Sequence, residues 1–300
     1  MPLPNLDQTS KLFPAGSPPP AAGVYPVRRR YGLNPSPFLP PNIQMDLQPL
    51  FDTLTALHII THTPEFSSET SDFLIDCIEH ALNGTTPDTE TQPTAFTLPA
   101  LRLNLLDQAG KLEIQWALRL TQAARRDISR PTCANWSDLM LYCRYAAEPL
   151  GRAVLQICGI RNPDIEKATD ALTAALLVLH LLRTAGEDWR KHGRCYLPTE
   201  WIAEEGGTAE QLVERKLTPA LRQVVNRMLE RTEKLLVMAN TLPSLLATTP
   251  ALKAESVRLL AHAACQLQQL KRHDSLVRRL HTPLWLRLKA HFMGWLASRT

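Results

Sequence analysis

Read for its apolar positions, the 300-residue chain is a succession of helices. Alternating β-branched residues are scarce and glycine is limited to 12 positions, so little in the pattern suggests strands. Helices are expected near 43–63, 68–83, 99–126, 136–158, 163–186, 208–241, 250–271 and 283–297, which makes the fold class all-α. Asn162, Thr218, Thr249 and Thr282 each precede a proline, placing a capping side chain ahead of a residue preset for the first helical position. Asn135, with Asp138 three residues on, offers a further cap. The polar stretch NGTTPDTETQPT, 83–94, reads as a surface loop.

One helix stands apart. From Leu176 to Leu182 only His180 interrupts the apolar run, a pattern of burial nearly all round. Arg183, Glu187, Asp188, Arg190, Lys191 and Arg194 then crowd together, which reads as a polar turn ending the helix near 186. A pocket floor with an ionic mouth is implied.

Composition changes the picture at both ends. Of 24 prolines, 12 fall in the first 49 residues, so 1–41 reads as an extended or disordered arm ahead of one domain, 42–300. No continuous apolar stretch of a secretion signal is present, and no run approaches the roughly 20 apolar residues that cross a bilayer. The six cysteines form no C-x-x-C pair, which argues against disulfides and thiolate zinc and for a reducing cytoplasm.

Net charge is +4, yet residues 271–300 alone carry seven Lys or Arg against one Asp. The protein as a whole is therefore no generic polyanion binder, and nucleic acid is not an expected partner. Leu284, Leu288, Phe292 and Trp295 near helical spacing, ringed by Arg278, Arg279, Arg287 and Lys289, suit either a last helix of the bundle or peripheral contact with the inner membrane face.

The candidate chemistry lies in two blocks. In YCRYAAEPLGR, Tyr142, Tyr145, Pro149 and Arg152 share one side of a helix that Pro149 should kink. Arg144, Glu148 and Arg152 are i, i+4 neighbours, so a packed helix with a charged edge explains them equally. About 30 residues later comes LLRTAGEDWRKHGRCYLP.

Together these blocks resemble the squalene/phytoene synthase family, and its bacterial hopanoid-pathway branch in particular. Tyr142, Cys143, Arg144, Pro149, Gly151 and Arg152 match the first family motif; Asp188, Trp189, Arg190, Lys191, Gly193, Arg194, Tyr196, Leu197 and Pro198 match the second, with His192 inserted. The resemblance implies an isoprenoid synthase-like helical bundle with a central apolar cavity. It also implies a prenyl diphosphate site involving Tyr142, Arg144, Arg152, Arg183, Asp188, Arg190, Lys191, Arg194 and Tyr196.

Family members hold Mg²⁺ with two D-x-x-x-D motifs on facing helices, and the metal takes up charge on the departing diphosphate. Here Thr55, His58 and His62 stand at the Arg and two Asp positions of the first motif. Leu177, His180 and Thr184 replace the Gln, Asn and first Asp of the second, and Asp188 alone remains. Glu187 is adjacent but turned about 100° away.

The resemblance therefore implies a catalytically impaired protein of isoprenoid metabolism that binds a prenyl diphosphate or related lipid, or serves as an accessory subunit beside an active paralogue or other protein. No cofactor is expected on that reading. The alternative is an active Mg²⁺-dependent condensing transferase using a shifted set of acids: Asp188, Glu187, Asp52 and Asp127. A third possibility is zinc, held by His58 and His62 one turn apart with His180 and Asp188 opposite.

Overall fold

A computed structural model describes residues 38–63, 66–85, 96–129, 132–274, 276 and 297. These residues hold eleven α-helices and no strand: α1 (Pro41–His62), α2 (Ser68–Leu82), α3 (Leu98–Gln108), α4 (Gln115–Ser129), α5 (Trp136–Ala146), α6 (Glu148–Ile157), α7 (Pro163–His192), α8 (Thr199–Glu204), α9 (Pro219–Ala239), α10 (Leu242–Leu245) and α11 (Pro250–Arg272). A 3₁₀ turn, Ala209–Val213, lies between α8 and α9. The all-α bundle typical of isoprenoid synthases is what the chain forms.

The axis of the bundle is α7. Asn162 accepts from the backbone N–H groups of Asp164 and Ile165, Pro163 sets the first turn, and every residue from Leu176 to Leu182 is buried. Helices α5, α6, α9, α10 and α11 pack around it, while α1 to α4 enclose a second core under Leu50, Ile60, Ile75 and Leu103.

Four expected boundaries shift, each for a local reason. Helix α7 does not stop near 186: it continues through Asp188, Arg190 and Lys191 to His192, where Gly193 takes the left-handed conformation at φ 62°. The charge-rich stretch read as a turn is thus two further helical turns, tied by the i, i+4 pair Glu187–Lys191 at 2.6 Å. The single helix expected over 99–126 is two, because Gly110 adopts φ 67° and the Asp107 carboxylate accepts from Ile114 N–H, restarting the chain in a new direction. The helix expected over 136–158 breaks at Ala147, where Pro149 has no N–H to continue the ladder, so the kink foreseen at Pro149 is a full interruption. Pro219 likewise confines the span 208–241 to the 3₁₀ turn and α9.

Residues 283–296 of the last expected helix and the arm up to residue 37 lie outside the described residues. Among the described residues no helix is long and apolar enough to cross a membrane.

Candidate functional site

The C-terminal ends of α1, α4 and α7 meet at one end of the bundle, and Arg194 joins them. Gly193 turns the chain out of α7, so the next side chain points back into the bundle. Arg194 is 5% exposed, and each arm of its guanidinium is engaged. Its Nε donates to the Asp127 carbonyl at 3.0 Å, Nη2 to the Thr61 carbonyl at 2.6 Å, and Nη1 to His62 Nε2 at 3.0 Å. Both carbonyls lie in last turns of helices, where a cation also meets the negative end of the helix dipole. Because arginine only donates, His62 must present a lone pair at Nε2; its Nδ1 then donates to the His58 carbonyl at 3.0 Å. The rings of His58 and His62 lie 4.0 Å apart, and His192 adds a third ring 4.7 Å from His62.

Along α7, the second set of expected residues forms a ladder of its own. His180 is buried, and Arg183 Nη2 approaches its Nδ1 at 3.2 Å. The single Thr184 hydroxyl proton faces both the His180 carbonyl at 3.1 Å and Asp188 Oδ2, the nearer acceptor, at 2.7 Å. Asp188 is itself only 4% exposed. Leu177, at the position of the family's Gln, is packed in the core.

Asp127, weighed from the sequence only as a spare acid, organises the wall between these groups. Tyr196 donates to Oδ1 at 2.7 Å and Tyr142 to Oδ2 at 3.2 Å, and the two phenol rings lie 5.1 Å apart. Asp127, Tyr142, His58 and Thr61 line a shallow cleft, about 340 Å³ when its open mouth is counted, floored by Leu54, Leu57 and Leu120.

Other expected residues lie elsewhere. Arg152 is locked to Asp170 by two bonds of 2.8 and 2.7 Å and also pairs with Glu166; the hydrogen bonds to Asp170 raise its pKa. Nearby Glu148 has its pKa raised, first by burial and then by Asp170. Arg144 and Arg190 are exposed, and Lys191 pairs with Glu187. Thr55 donates back to the Phe51 carbonyl, and Asp52 accepts from Gln48.

These donors do not suit the metals weighed from sequence. Mg²⁺ needs several hard oxygen ligands, and of the two motifs only Asp188 offers a carboxylate, already accepting from Thr184. Zinc needs imidazole lone pairs, and those of His62 Nε2 and His180 Nδ1 face arginine donors. Among the described residues no three His, Cys, Asp or Glu side chains converge to hold a metal ion.

The larger apolar space lies further down the bundle. A cleft of about 680 Å³, counting its open mouth, is lined by Leu150, Gly151, Thr169, Leu172, Thr173 and leucines of α10 and α11. Leu172 is 16 residues before Asp188 on α7, or about 24 Å along the helix axis.

Residues 61–286 match the family model described as squalene/phytoene synthase. The chain is 30% identical over 204 residues to the hydroxysqualene synthase of Zymomonas mobilis, covering 68% of this chain and 67% of that one. It is 31% identical over 194 residues to the hydroxysqualene synthase of Sinorhizobium fredii, covering 64% and 65%. The matched stretch thus spans about two thirds of these relatives. Among solved structures, a squalene synthase from Alicyclobacillus acidocaldarius superposes with a TM-score of 0.64 at 23% identity, over 78% of this chain and 85% of that one. A dehydrosqualene synthase in complex with ligand gives 0.66 at 18% identity over 91% of both. At such identities the likeness speaks to the fold.

Proposed function

Because the chain belongs to the squalene/phytoene synthase family, we propose that it acts in isoprenoid metabolism as a binder of prenyl diphosphates that does not ionise them, serving as an accessory partner to an active protein. One observation carries this reading. Where the family positions four carboxylates, the meeting ends of α1 and α7 present His58, His62 and Thr184, and the one acid left, Asp188, accepts a hydrogen bond from Thr184. Arg183, Arg190 and Lys191 remain at this end as cations for a diphosphate. Tyr142 and Tyr196, fixed by Asp127, wall the space in which the first part of a prenyl chain would lie.

The competing reading, a magnesium-dependent condensing transferase, draws on Asp127, whose carboxylate lines the smaller cleft beside His58. Both of its oxygens already accept from tyrosine. Incubation with farnesyl diphosphate and Mg²⁺ separates the two. The accessory reading expects no pyrophosphate release, together with calorimetric heat from a non-hydrolysable analogue that is the same with and without Mg²⁺. Steady pyrophosphate release that Asp188→Ala abolishes would establish the transferase instead, and a flat calorimetric trace under both conditions would remove the diphosphate ligand.

A further inference from the structure

Three large apolar side chains stand in water at one corner of the bundle. Val237 and Met238, in the last turn of α9, are 67% and 43% exposed, and Leu245, at the end of α10, is 37% exposed. Their neighbours Leu236, Ala239, Leu242 and Leu246 are all buried. The segment therefore turns one apolar face into the bundle and a second one outward.

The two helices present the outer face as one surface. Asn240 and Thr241, between them, keep right-handed helical backbone at φ −63° and −73°, and the amide of Leu245 donates to the Thr241 carbonyl at 3.1 Å. The helical path runs on from α9 into α10, so Arg231, Lys234, Met238 and Leu245 fall on one side of it, at offsets of 3, 7 and 14 from the first. Val237 flanks them. Arg231 and Lys234 are exposed and form no ion pair among the described residues. Glu233 is taken by Lys271 at 2.8 Å, and Glu230 stands about 12 Å from Met238 along the axis. Thr241, Ser244 and Thr248 place short, exposed hydroxyls around the tip.

We propose that this corner is a contact point for an anionic lipid surface: Val237, Met238 and Leu245 enter the bilayer interface, and Arg231 and Lys234 lie against acidic headgroups. An apolar tip with cations behind it on the same helix face suits that boundary. A stable protein interface takes ~20–30 residues a side and is anchored by aromatic side chains; this corner offers three apolar side chains and no aromatic one. The proposal is independent of whether a diphosphate binds at the end near Asp188.

The test is a lipid titration of the full-length protein at low salt, read by vesicle sedimentation, with phosphatidylcholine vesicles containing about one third phosphatidylglycerol. Arg231→Gln/Lys234→Gln should weaken partition about 30-fold, roughly fivefold for each cation. The native protein should bind vesicles of phosphatidylcholine alone at least that much more weakly. Val237→Ser/Met238→Ser/Leu245→Ser should weaken partition onto the anionic vesicles about tenfold, the effect of withdrawing roughly 55 Å² of apolar surface from lipid. Val237→Ser alone, at the most exposed of the three positions, should show a smaller loss of the same sign if the triple variant does not fold. Residues 283–300 are the same in every variant, so these differences belong to the corner. Equal partition of the native protein onto both kinds of vesicle, partition onto neither, or a folded triple variant that partitions as the native protein does would each overturn the proposal. So would self-association in sedimentation velocity that the triple variant abolishes, which would assign the corner to a second copy of the chain.

Discussion

Arg194 decides between two accounts of the same residue, a ligand-gripping cation and a structural clamp. Replacing it with Met keeps much of the apolar stem and removes every donor. Three acceptors then lose their partner: the carbonyls of Thr61 and Asp127 and the Nε2 lone pair of His62. An orphaned buried polar group costs roughly 1–3 kcal/mol. Thr61, His62 and Asp127 are half-buried, so water reaches them in part and the lower end of that range applies to each. Losing the cation at two helix C-termini adds up to about 1 kcal/mol. The expected loss is ~3–4 kcal/mol, a large share of the ~5–15 kcal/mol that holds a folded protein together. Arg194→Lys keeps the charge but cannot fork to three acceptors, and should recover less than half. Urea unfolding followed by circular dichroism at 222 nm measures both. If Arg194→Met lies within ~0.5 kcal/mol of the native protein, as substitutions of uninvolved surface residues do, the clamp is refuted.

Gly151→Ala should destabilise by about 1–3 kcal/mol, because its methyl would stand 2.5 Å from Thr169 on a neighbouring helix; thermal melting that matches the native protein would show that α6 and α7 separate easily. Glu148→Gln tests a charge held at a cost. Burial and Asp170 raise the Glu148 pKa, so its contribution to stability is fully present below the ordinary carboxylate pKa and is lost as pH rises through the raised one. At neutral pH the glutamine variant should therefore melt about 2 °C higher. The gain should shrink as pH falls toward 4, and a constant gain across that range would place its origin outside ionisation. Deleting residues 283–300 should reduce sedimentation with anionic liposomes if the basic, Trp-bearing segment rests on membrane; unchanged partition with the helical signal intact would assign it to the bundle.

What the sequence revealed depended on how local each cause was. The start of α7 was legible because Asn162 and Pro163 act within one turn, and its burial because seven consecutive residues admit no polar face. Pro149 made a disturbance near Ala147 legible, but as a kink in one helix over 136–158, where the structure has two helices. The division between α3 and α4 was not: α3 carries leucine on its exposed side as well, with Leu98 and Leu105 44% and 62% exposed, so its pattern has no phase to lose. The continuation of α7 past Gly186 was written in the Glu187–Lys191 spacing but hidden by the density of charge. In the site, Thr184 and Asp188 could be paired from sequence as i, i+4 neighbours. Arg194 and His62 stand 132 positions apart, and no pattern in either segment announces that one donates to the other. Separation along the chain likewise hid the role of Asp127, which lies 15 residues from Tyr142 and 69 from Tyr196.

The exchange of carboxylates for imidazole and hydroxyl bears on rate more than on affinity under the proposed reading. Arginine and lysine contacts hold a bound diphosphate, and they hold it about equally well once its carbon–oxygen bond begins to stretch. Binding that is uniform between ground and transition states lowers a dissociation constant and leaves the barrier where it was. Acceleration requires charge stabilisation that grows as the leaving group departs, which clustered divalent metal supplies and dispersed side-chain cations supply far less. On the proposed reading, an end of the bundle that keeps Arg183, Arg190 and Lys191 while offering Asp188 alone among the motif acids would retain a diphosphate rather than cleave it. The clamp on His62 adds to this. With Nε2 accepting from a buried arginine, restoring acids at His58 and Thr184 alone leaves the first motif incomplete, because His62 is now part of what holds α1 to the end of α7.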